Sequence, residues 1–383
     1  MNICIVTSSF PLNKNEVYHQ FVGELINILN QKGHHVTILT QNKKGDKEQV
    51  IPKADVVWFP WKMTEQRVLA QVSLKSFTNL YSIISLFING VKYSNRISKK
   101  KKIDVFICLW IVPSGLYIYL KNILFMKTPY ILWSLGSDVY TNKDNFIRRL
   151  ILKLIIKKSK AVFADGFELC DIINALSGRK CEFLPTFQRI NMTINSNEVN
   201  ENTKSQTNFL YVGRLAKVKG TDILVEAFKL MKKDNGNMNF KCNIIGDGDL
   251  METLKQEIKQ NNLEENVFLL GWIKDEKILS EYYKQADCVI IPSRSESIPI
   301  VLSEAMQFGK PMITSNAGDM GMLVVKYNLG IVVEKENPNA LARAINTFIE
   351  FPTPIYKDDQ QRLMDTLIFE NNNKKLMDKL NIK

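Results

Sequence analysis

Two glutamates, Glu296 and Glu304, stand eight positions apart in the segment Ser293-Arg-Ser-Glu-Ser-Ile-Pro-Ile-Val-Leu-Ser-Glu-Ala-Met306. Glu296 falls in a loop after the apolar run 287–292, and Glu304 about one turn inside the helix expected next. The first backbone N–H groups of a helix lack intrahelical partners, so a loop feeding a helix N-terminus offers donors to an anion. A carboxylate on each flank can accept hydrogen bonds from hydroxyls. A ligand with a phosphate centre and a hydroxyl-bearing ring on either side has the matching shape, which is that of a nucleotide-sugar. Taken alone, the pair fits solvated helix-end glutamates near the helix dipole equally well. Arg214 and Lys219 lie in Tyr211-Val-Gly-Arg-Leu-Ala-Lys-Val-Lys-Gly-Thr221, where Gly213 and Gly220 permit tight turns. An Arg fork and a Lys point charge at the carboxyl end of a strand suit a diphosphate, although a lone loop cation is ordinarily just solvated. Ile244-Ile-Gly-Asp-Gly-Asp-Leu250 adds a glycine turn whose flat backbone, through Gly246, Asp247 and Gly248, can lie against a ligand; alone it could be any strand-to-helix turn.

The elements that position these residues alternate between strand and helix in both halves. Residues 3–7 read as a buried parallel strand, Phe21, Leu25, Ile28 and Leu29 as the apolar face of a helix ended by Gly33, and 36–39 as the next strand. The second half repeats the pattern, with strands at 209–212, 243–245, 267–270, 288–291, 311–314 and 330–333. Continuous apolar strands alternating with helices imply parallel sheets covered on both faces. The expected fold is α/β, two doubly wound Rossmann-like domains facing one another across a cleft, with ligands beyond the carboxyl ends of the strands. The domains are expected at 1–188 and 207–355, with a polar Asn-rich linker at 189–206 and a helical segment at 356–383.

A chain of 383 residues can bury two cores, and 45% hydrophobic with 23% charged residues is the balance of a soluble globular protein. No secretory signal is visible at the start, and the uncharged run 105–120 is broken by Pro113-Ser114-Gly115, which points to a cytoplasmic protein with no spanning helix. Six cysteines without a C-x-x-C pair read as buried thiols, and three histidines make a histidine metal site improbable. The net charge is uneven: residues 1–190 carry +14 and residues 191–383 carry −2. Such asymmetry points to an anionic partner surface. Phe146, Ile147, Leu150, Ile151, Leu154 and Ile155 recur at helical spacing, with Arg148, Arg149, Lys153, Lys157 and Lys158 between them. Phe77, Leu80, Ile83, Ile84, Phe87, Ile88 and Val91 form another stripe that leads to Lys99-Lys-Lys-Lys102. Each stripe can face a domain core with solvated lysines beside it, or lie in an anionic membrane interface. The charge imbalance favours peripheral membrane association; nucleic acid is disfavoured because no nucleic-acid motif accompanies the charge.

These motifs resemble those of the retaining GT-B glycosyltransferases of group 1, also called family 4. The similarity rests on V-G-R-L-x(3)-K-G at 212–220, I-G-D-G at 245–248, E-x7-E with E-A-M at 304–306, and Gly309-Lys-Pro311. Ser8-Ser-Phe-Pro11 and Gly33-His-His-Val36 are similar to the start of the family's first domain, and the resemblance spans roughly residues 1–350. It implies that Arg214 and Lys219 hold the donor diphosphate, Glu304 the ribose hydroxyls and Glu296 the donor-sugar hydroxyls. Ser297, Ile298, Pro299 and Ile300 would offer amides, and backbone at Gly246 to Gly248 with Trp272 and Ile273 would border the base. It also implies that 351–383 crosses back towards the first domain. The substrates implied are a UDP- or GDP-linked sugar and a glycan or lipid-linked acceptor of the cell envelope (capsule, exopolysaccharide or lipopolysaccharide), without a cofactor or metal. Fixed cations can stabilise the leaving diphosphate, and retention without a placed nucleophile suggests front-face attack.

Two departures fall in the first half. Asn13-Lys-Asn-Glu-Val-Tyr18 lacks the glycine that the family often has beside the phosphates. In Trp133-Ser-Leu-Gly-Ser-Asp-Val-Tyr140, Leu135 stands where a histidine is frequent, leaving Ser134 or Asp138 as substitutes and Asp138 as a candidate catalytic residue. Two other functions fit the fold. A sugar-nucleotide 2-epimerase would need further acid/base groups, which the histidine shortage disfavours. A non-catalytic binding subunit is supported by the two departures and opposed by Arg214, Lys219, Glu296 and Glu304.

Overall fold

Two parallel sheets organise the protein, seen in a computed structural model describing residues 1–11, 20–42, 47, 54–62, 77–142, 144–187, 206–235 and 239–381. The Asn13 to Tyr18 segment, most of the expected linker and the Phe77 side chain lie outside the described residues. The chain divides into two compact units, Met1–Gln188 with Asn372–Lys383, and Arg189–Asn371.

In the first unit, β1 (Asn2–Val6), β2 (His35–Gln41), β3 (Asp55–Phe59), β4 (Val105–Leu109), β5 (Tyr130–Ser134), β6 (Ala161–Ala164) and β7 (Cys181–Phe183) form a sheet in the order β3-β2-β1-β4-β5-β6-β7. Every residue of β4, β5 and β6 is buried, the outcome for strands with helices on both faces. Trp133 sits at the centre, fully buried, 4.8 Å from the Phe21 ring, with its indole N–H donated to the Leu184 carbonyl at 3.1 Å. The Lys374–Leu380 helix belongs to this unit, with Lys379 paired to Glu182 at 2.9 Å.

The second unit holds β8 (Thr207–Val212), β9 (Phe240–Ile245), β10 (Val267–Gly271), β11 (Cys288–Ile291), β12 (Met312–Ser315) and β13 (Gly330–Val333), in the order β10-β9-β8-β11-β12-β13. Phe209, Phe228, Phe240 and Phe348 fill its core, with Phe228 stacked on Phe240 at 4.8 Å. The next two strands, β9 and β10, lie to one side of β8, and β11 returns to its other side, pairing Cys288 with Phe209 and Val289 with Leu210. Strand order therefore reverses between β8 and β11, the switch point at which such sheets open a crevice beyond their carboxyl ends. The Lys357–Leu367 helix also belongs to this unit and packs on Ile300–Gln307, where the Gln360 amide donates to the Met306 carbonyl.

The Phe146–Lys158 helix divides its apolar residues between core and surface. It buries Leu152, Ile155 and Ile156 and leaves Phe146, Ile147, Leu150 and Leu154 in solvent. Apolar residues cover more of this helix than one core contact can use. All six cysteines are buried and free, and burial pushes the Cys108 and Cys288 thiols up.

Candidate active site

The loop after β8 and the loop after β11 flank the switch point of the second unit. Gly220 closes the first loop with φ +70°, and a Cβ there would meet the Pro292 carbonyl oxygen at 2.0 Å. Only glycine permits that backbone angle and that approach without strain. The loops are then fastened together. The Arg294 amide donates to the Val218 carbonyl at 2.9 Å, and its guanidinium grips Asp222 through two bonds of 2.7 and 2.9 Å. A third arm reaches Glu336 at 2.9 Å. A bidentate fork fixes both distance and plane, which a lysine could not do.

This fastening brings Lys219 and Glu296 together across 77 residues of sequence. The Lys219 ammonium donates to Glu296 Oε1 at 2.5 Å, and the Ser293 hydroxyl donates to the same oxygen at 2.9 Å. The Glu296 side chain is mostly buried, with 11% exposure against 31% for Lys219. Behind the glutamate, Gly318 adopts φ +53°, and a Cβ there would meet the Glu296 carbonyl oxygen at 1.9 Å. Backbone and side chain of Glu296 are thus both constrained. Its neighbour Ser297 has a buried hydroxyl oxygen without a hydrogen-bond partner among the described residues. A buried unpartnered hydroxyl is costly unless something else bonds to it, and a ligand can do so.

Arg214 is exposed beside this pair in sequence, and makes no ion pair among the described residues. The third loop is joined by backbone: Gly213 N–H donates to Ile245 and Leu215 N–H to Asp247, each at 2.9 Å. Gly246 and Gly248 are packed beneath that ladder, Asp247 is exposed, and Ile273 is half-buried after β10. Pro299 precedes the Ile300–Gln307 helix in extended conformation, while Ile298 is half-buried and Ile300 exposed.

Glu304 acquires a partner that the sequence did not disclose. The Tyr283 hydroxyl donates to Glu304 Oε2 at 2.5 Å, and the fully buried Tyr283 ring stacks on Phe308 at 5.1 Å. Burial raises the Glu304 pKa above its ordinary 4.5, opposed by the Tyr283 bond. Tyr283 precedes Glu304 by 21 residues on another helix, so no local spacing could have found it. Ser293 and Arg294 lay within the glutamate segment, where their residue types hinted at the clamp without naming its partners.

Asp138 has partners of its own in the first unit. It lies in the first unit, buried, with Oδ1 accepting from the Ser134 hydroxyl at 2.8 Å and Oδ2 from the Ile111 amide at 2.5 Å. Burial lifts its pKa from 3.8 to about 6. Both oxygens are engaged in holding the turn after β4 to the turn after β5. The geometry is that of an anchor between the two turns. Leu135 beside it is half-buried. Among the described residues, no group of three or more His, Cys, Asp or Glu is placed to hold a metal ion.

Comparison with known proteins agrees with this arrangement. The family model of glycosyl transferases group 1 matches residues 193–363, the stretch that contains every element of the site in the second unit. Residues 193–363 therefore match a group 1 glycosyltransferase domain. The chain is 28% identical over 263 residues to an uncharacterized glycosyltransferase of Methanocaldococcus jannaschii, covering 68% of this chain and 70% of that one. It is 31% identical over 138 residues to the UDP-Gal:alpha-D-GlcNAc-diphosphoundecaprenol alpha-1,3-galactosyltransferase of Escherichia coli, covering 36% and 35% of the two chains. Among solved structures, the lipopolysaccharide outer core galactosyltransferase WaaB in its apo form matches with a TM-score of 0.73 at 17% identity, over 99% of this chain and 100% of that one. Two Rossmann-like domains of the GT-B type are therefore the chain's fold.

Proposed function

We propose that the protein is a glycosyltransferase that moves a sugar from a nucleoside diphosphate donor, most simply a UDP-sugar, to a hydroxyl of a lipid-linked or envelope glycan, with retention of anomeric configuration. The observation that carries the reading is the Lys219–Glu296 pair, fixed beside a strand-order switch point between two interlocked loops. Arg214 and Lys219 face the diphosphate, Glu296 and the unpartnered Ser297 hydroxyl take donor-sugar hydroxyls, and Glu304 takes the ribose. Gly213, the turn Gly246-Asp247-Gly248 and Ile273 form the floor and the border of the base, and 298–300 supply amides. The choice of UDP and of a lipid diphosphate acceptor draws support from the named activity of the Escherichia coli relative. A membrane-bound acceptor would place the work at the cytoplasmic face of a membrane.

In the reaction, the bond from C1 to the diphosphate oxygen breaks as the acceptor oxygen bonds to C1. The acceptor proton passes to the departing diphosphate, so charge develops on the leaving group and on an oxocarbenium-like carbon. Lys219, held by Glu296, and Arg214, just after β8, meet the first charge. A carboxylate already ion-paired with Lys219 and bonded to Ser293 has reduced nucleophilicity, which favours attack from the donor's own face over a glycosyl-enzyme at Glu296. The test is a panel of nucleotide-sugars scored by thermal stabilisation and by slow hydrolysis, with NMR of the first-formed sugar anomer. Stabilisation by a UDP-sugar and a retained anomer are expected. An inverted product, or no stabilisation by any nucleotide-sugar, would refute the reading.

A further inference from the structure

The first unit carries a surface that the donor site leaves unused. Three helices, Phe77–Lys100, Leu116–Leu124 and Phe146–Lys158, pack side by side. The first two approach closely enough that a Cβ at Gly90 would meet the Tyr117 ring at 2.7 Å. Not one of the three contains an aspartate or glutamate. On the first helix, Tyr81, Ile84 and Ile88 are exposed, and the same three- and four-residue spacing continues through exposed Lys92, Arg96 and Lys99. That spacing puts all six on one side of the helix. On the third, Phe146, Ile147, Leu150 and Leu154 are exposed, up to 80% for Phe146, among exposed Arg148, Arg149, Lys153, Lys157 and Lys158. The second helix ends in the exposed run Ile123, Leu124, Phe125 and Met126. That run is held in place from beneath. The buried Lys121 ammonium donates to the Met126 carbonyl at 2.7 Å and the Thr128 hydroxyl at 2.6 Å, and the Thr128 amide donates to Asn122 at 2.9 Å.

We infer that the Tyr81–Ile88 and Phe146–Leu154 faces dock onto an anionic phospholipid bilayer, their apolar side chains entering the headgroup boundary and their Lys and Arg residues meeting the phosphates. Apolar and cationic groups interleaved on one helix face match the two layers that an interface offers at that depth. Long cationic side chains extend to keep their charges at the phosphates while their stems stay in the apolar layer. A second copy of the chain is the poorer occupant, because an isologous contact would set the same acid-free, basic faces against each other. The inference goes beyond the donor-site reading and does not depend on it.

The test uses the full chain and sedimented or floated vesicles without any donor or acceptor. Binding is expected to vesicles containing phosphatidylglycerol at low ionic strength and to weaken in high salt as the charges are screened. Pure phosphatidylcholine vesicles should bind far less. Phe146→Asp with Leu150→Asp, and separately Ile84→Asp with Ile88→Asp, should each lower partitioning roughly tenfold or more. All four positions are exposed, so the variants should keep the wild-type melting profile and the same donor-induced stabilisation. Wild-type protein that ignores anionic vesicles, variants that bind as wild type does, or a monomer–dimer equilibrium abolished by the variants without lipid binding would each overturn the inference.

Discussion

Glu296, Lys219 and Ser293 form a single electrostatic unit, so their removal should not be graded by burial alone. Lys219→Ala deletes a charge aimed at the leaving diphosphate and leaves Glu296 without its cation, and a loss of roughly 10²–10³ in kcat is expected. Glu296→Ala should abolish turnover to a similar extent with folding intact, as circular dichroism would record. Wild-type transfer by either variant would remove the site assignment. Tyr283 offers a subtler measurement, since it touches Glu304 and not the proposed ligand. Its hydroxyl stabilises the ionised carboxylate, while burial of Glu304 raises the pKa. Tyr283→Phe should therefore move the Glu304 pKa further up. Protonated Glu304 is a poorer acceptor for ribose hydroxyls, so the acid limb of donor affinity should shift to higher pH, with KM raised more than kcat is lowered. A uniform loss of activity without movement of the pH profile would assign Tyr283 a packing role alone. The glutamates and cations were legible because loop charges at strand ends have few structural uses. Tyr283 was not, since its contact depends on how two helices are set by β11 between them.

At the level of elements, Asp138 ties the turn after β4 to the turn after β5, and its cost depends on pH. Its folded pKa of about 6 stands above the ordinary 3.8, so the folded state binds the proton more tightly than the unfolded chain does. The associated stability is fully present below about pH 4 and is lost as pH rises through about 6. The shift corresponds to roughly 3 kcal/mol. Asn at this position keeps an acceptor for the Ile111 amide and a donor for Ser134, without a charge to desolvate. Urea unfolding of Asp138→Asn should lack this decline between pH 4 and 6 and equal or exceed wild-type stability at pH 7. Parallel pH profiles for the two proteins would show that the turn does not depend on the carboxylate's charge. The strands themselves were readable because parallel strands buried on both faces are continuous apolar runs; 288–291 coincides with β11. Helix faces were harder. The stripe from Phe146 to Ile155 has helical periodicity, yet the helix packs through Leu152, Ile155 and Ile156, because periodicity marks an apolar face without saying what covers it.

For the whole molecule, the charge division between halves and the division into two units coincide closely: the +14 half is the unit with the basic helical layer, and the −2 half is the unit with the cation pair. An overall near-neutral second half makes Arg214 and Lys219 local features and not part of a general basic field, so donor recognition should be specific to their geometry. A ligand that binds the native state and not the unfolded chain stabilises by about 2.7 kcal/mol at a hundredfold excess over Kd. UDP alone should therefore raise the melting temperature, and Lys219→Ala or Glu304→Ala should reduce that rise by different routes, diphosphate and ribose. If the two side-chain cations supply the charge that the diphosphate needs, addition of EDTA should leave both the UDP-induced rise and the transfer rate unchanged. Salt should weaken the rise only modestly, since Lys219 and Glu296 are sheltered in the fold and screening acts mainly on exposed charges. Restoration of the rise by magnesium after EDTA had abolished it would mean that Arg214 and Lys219 do not suffice, and that the diphosphate arrives with its own cation.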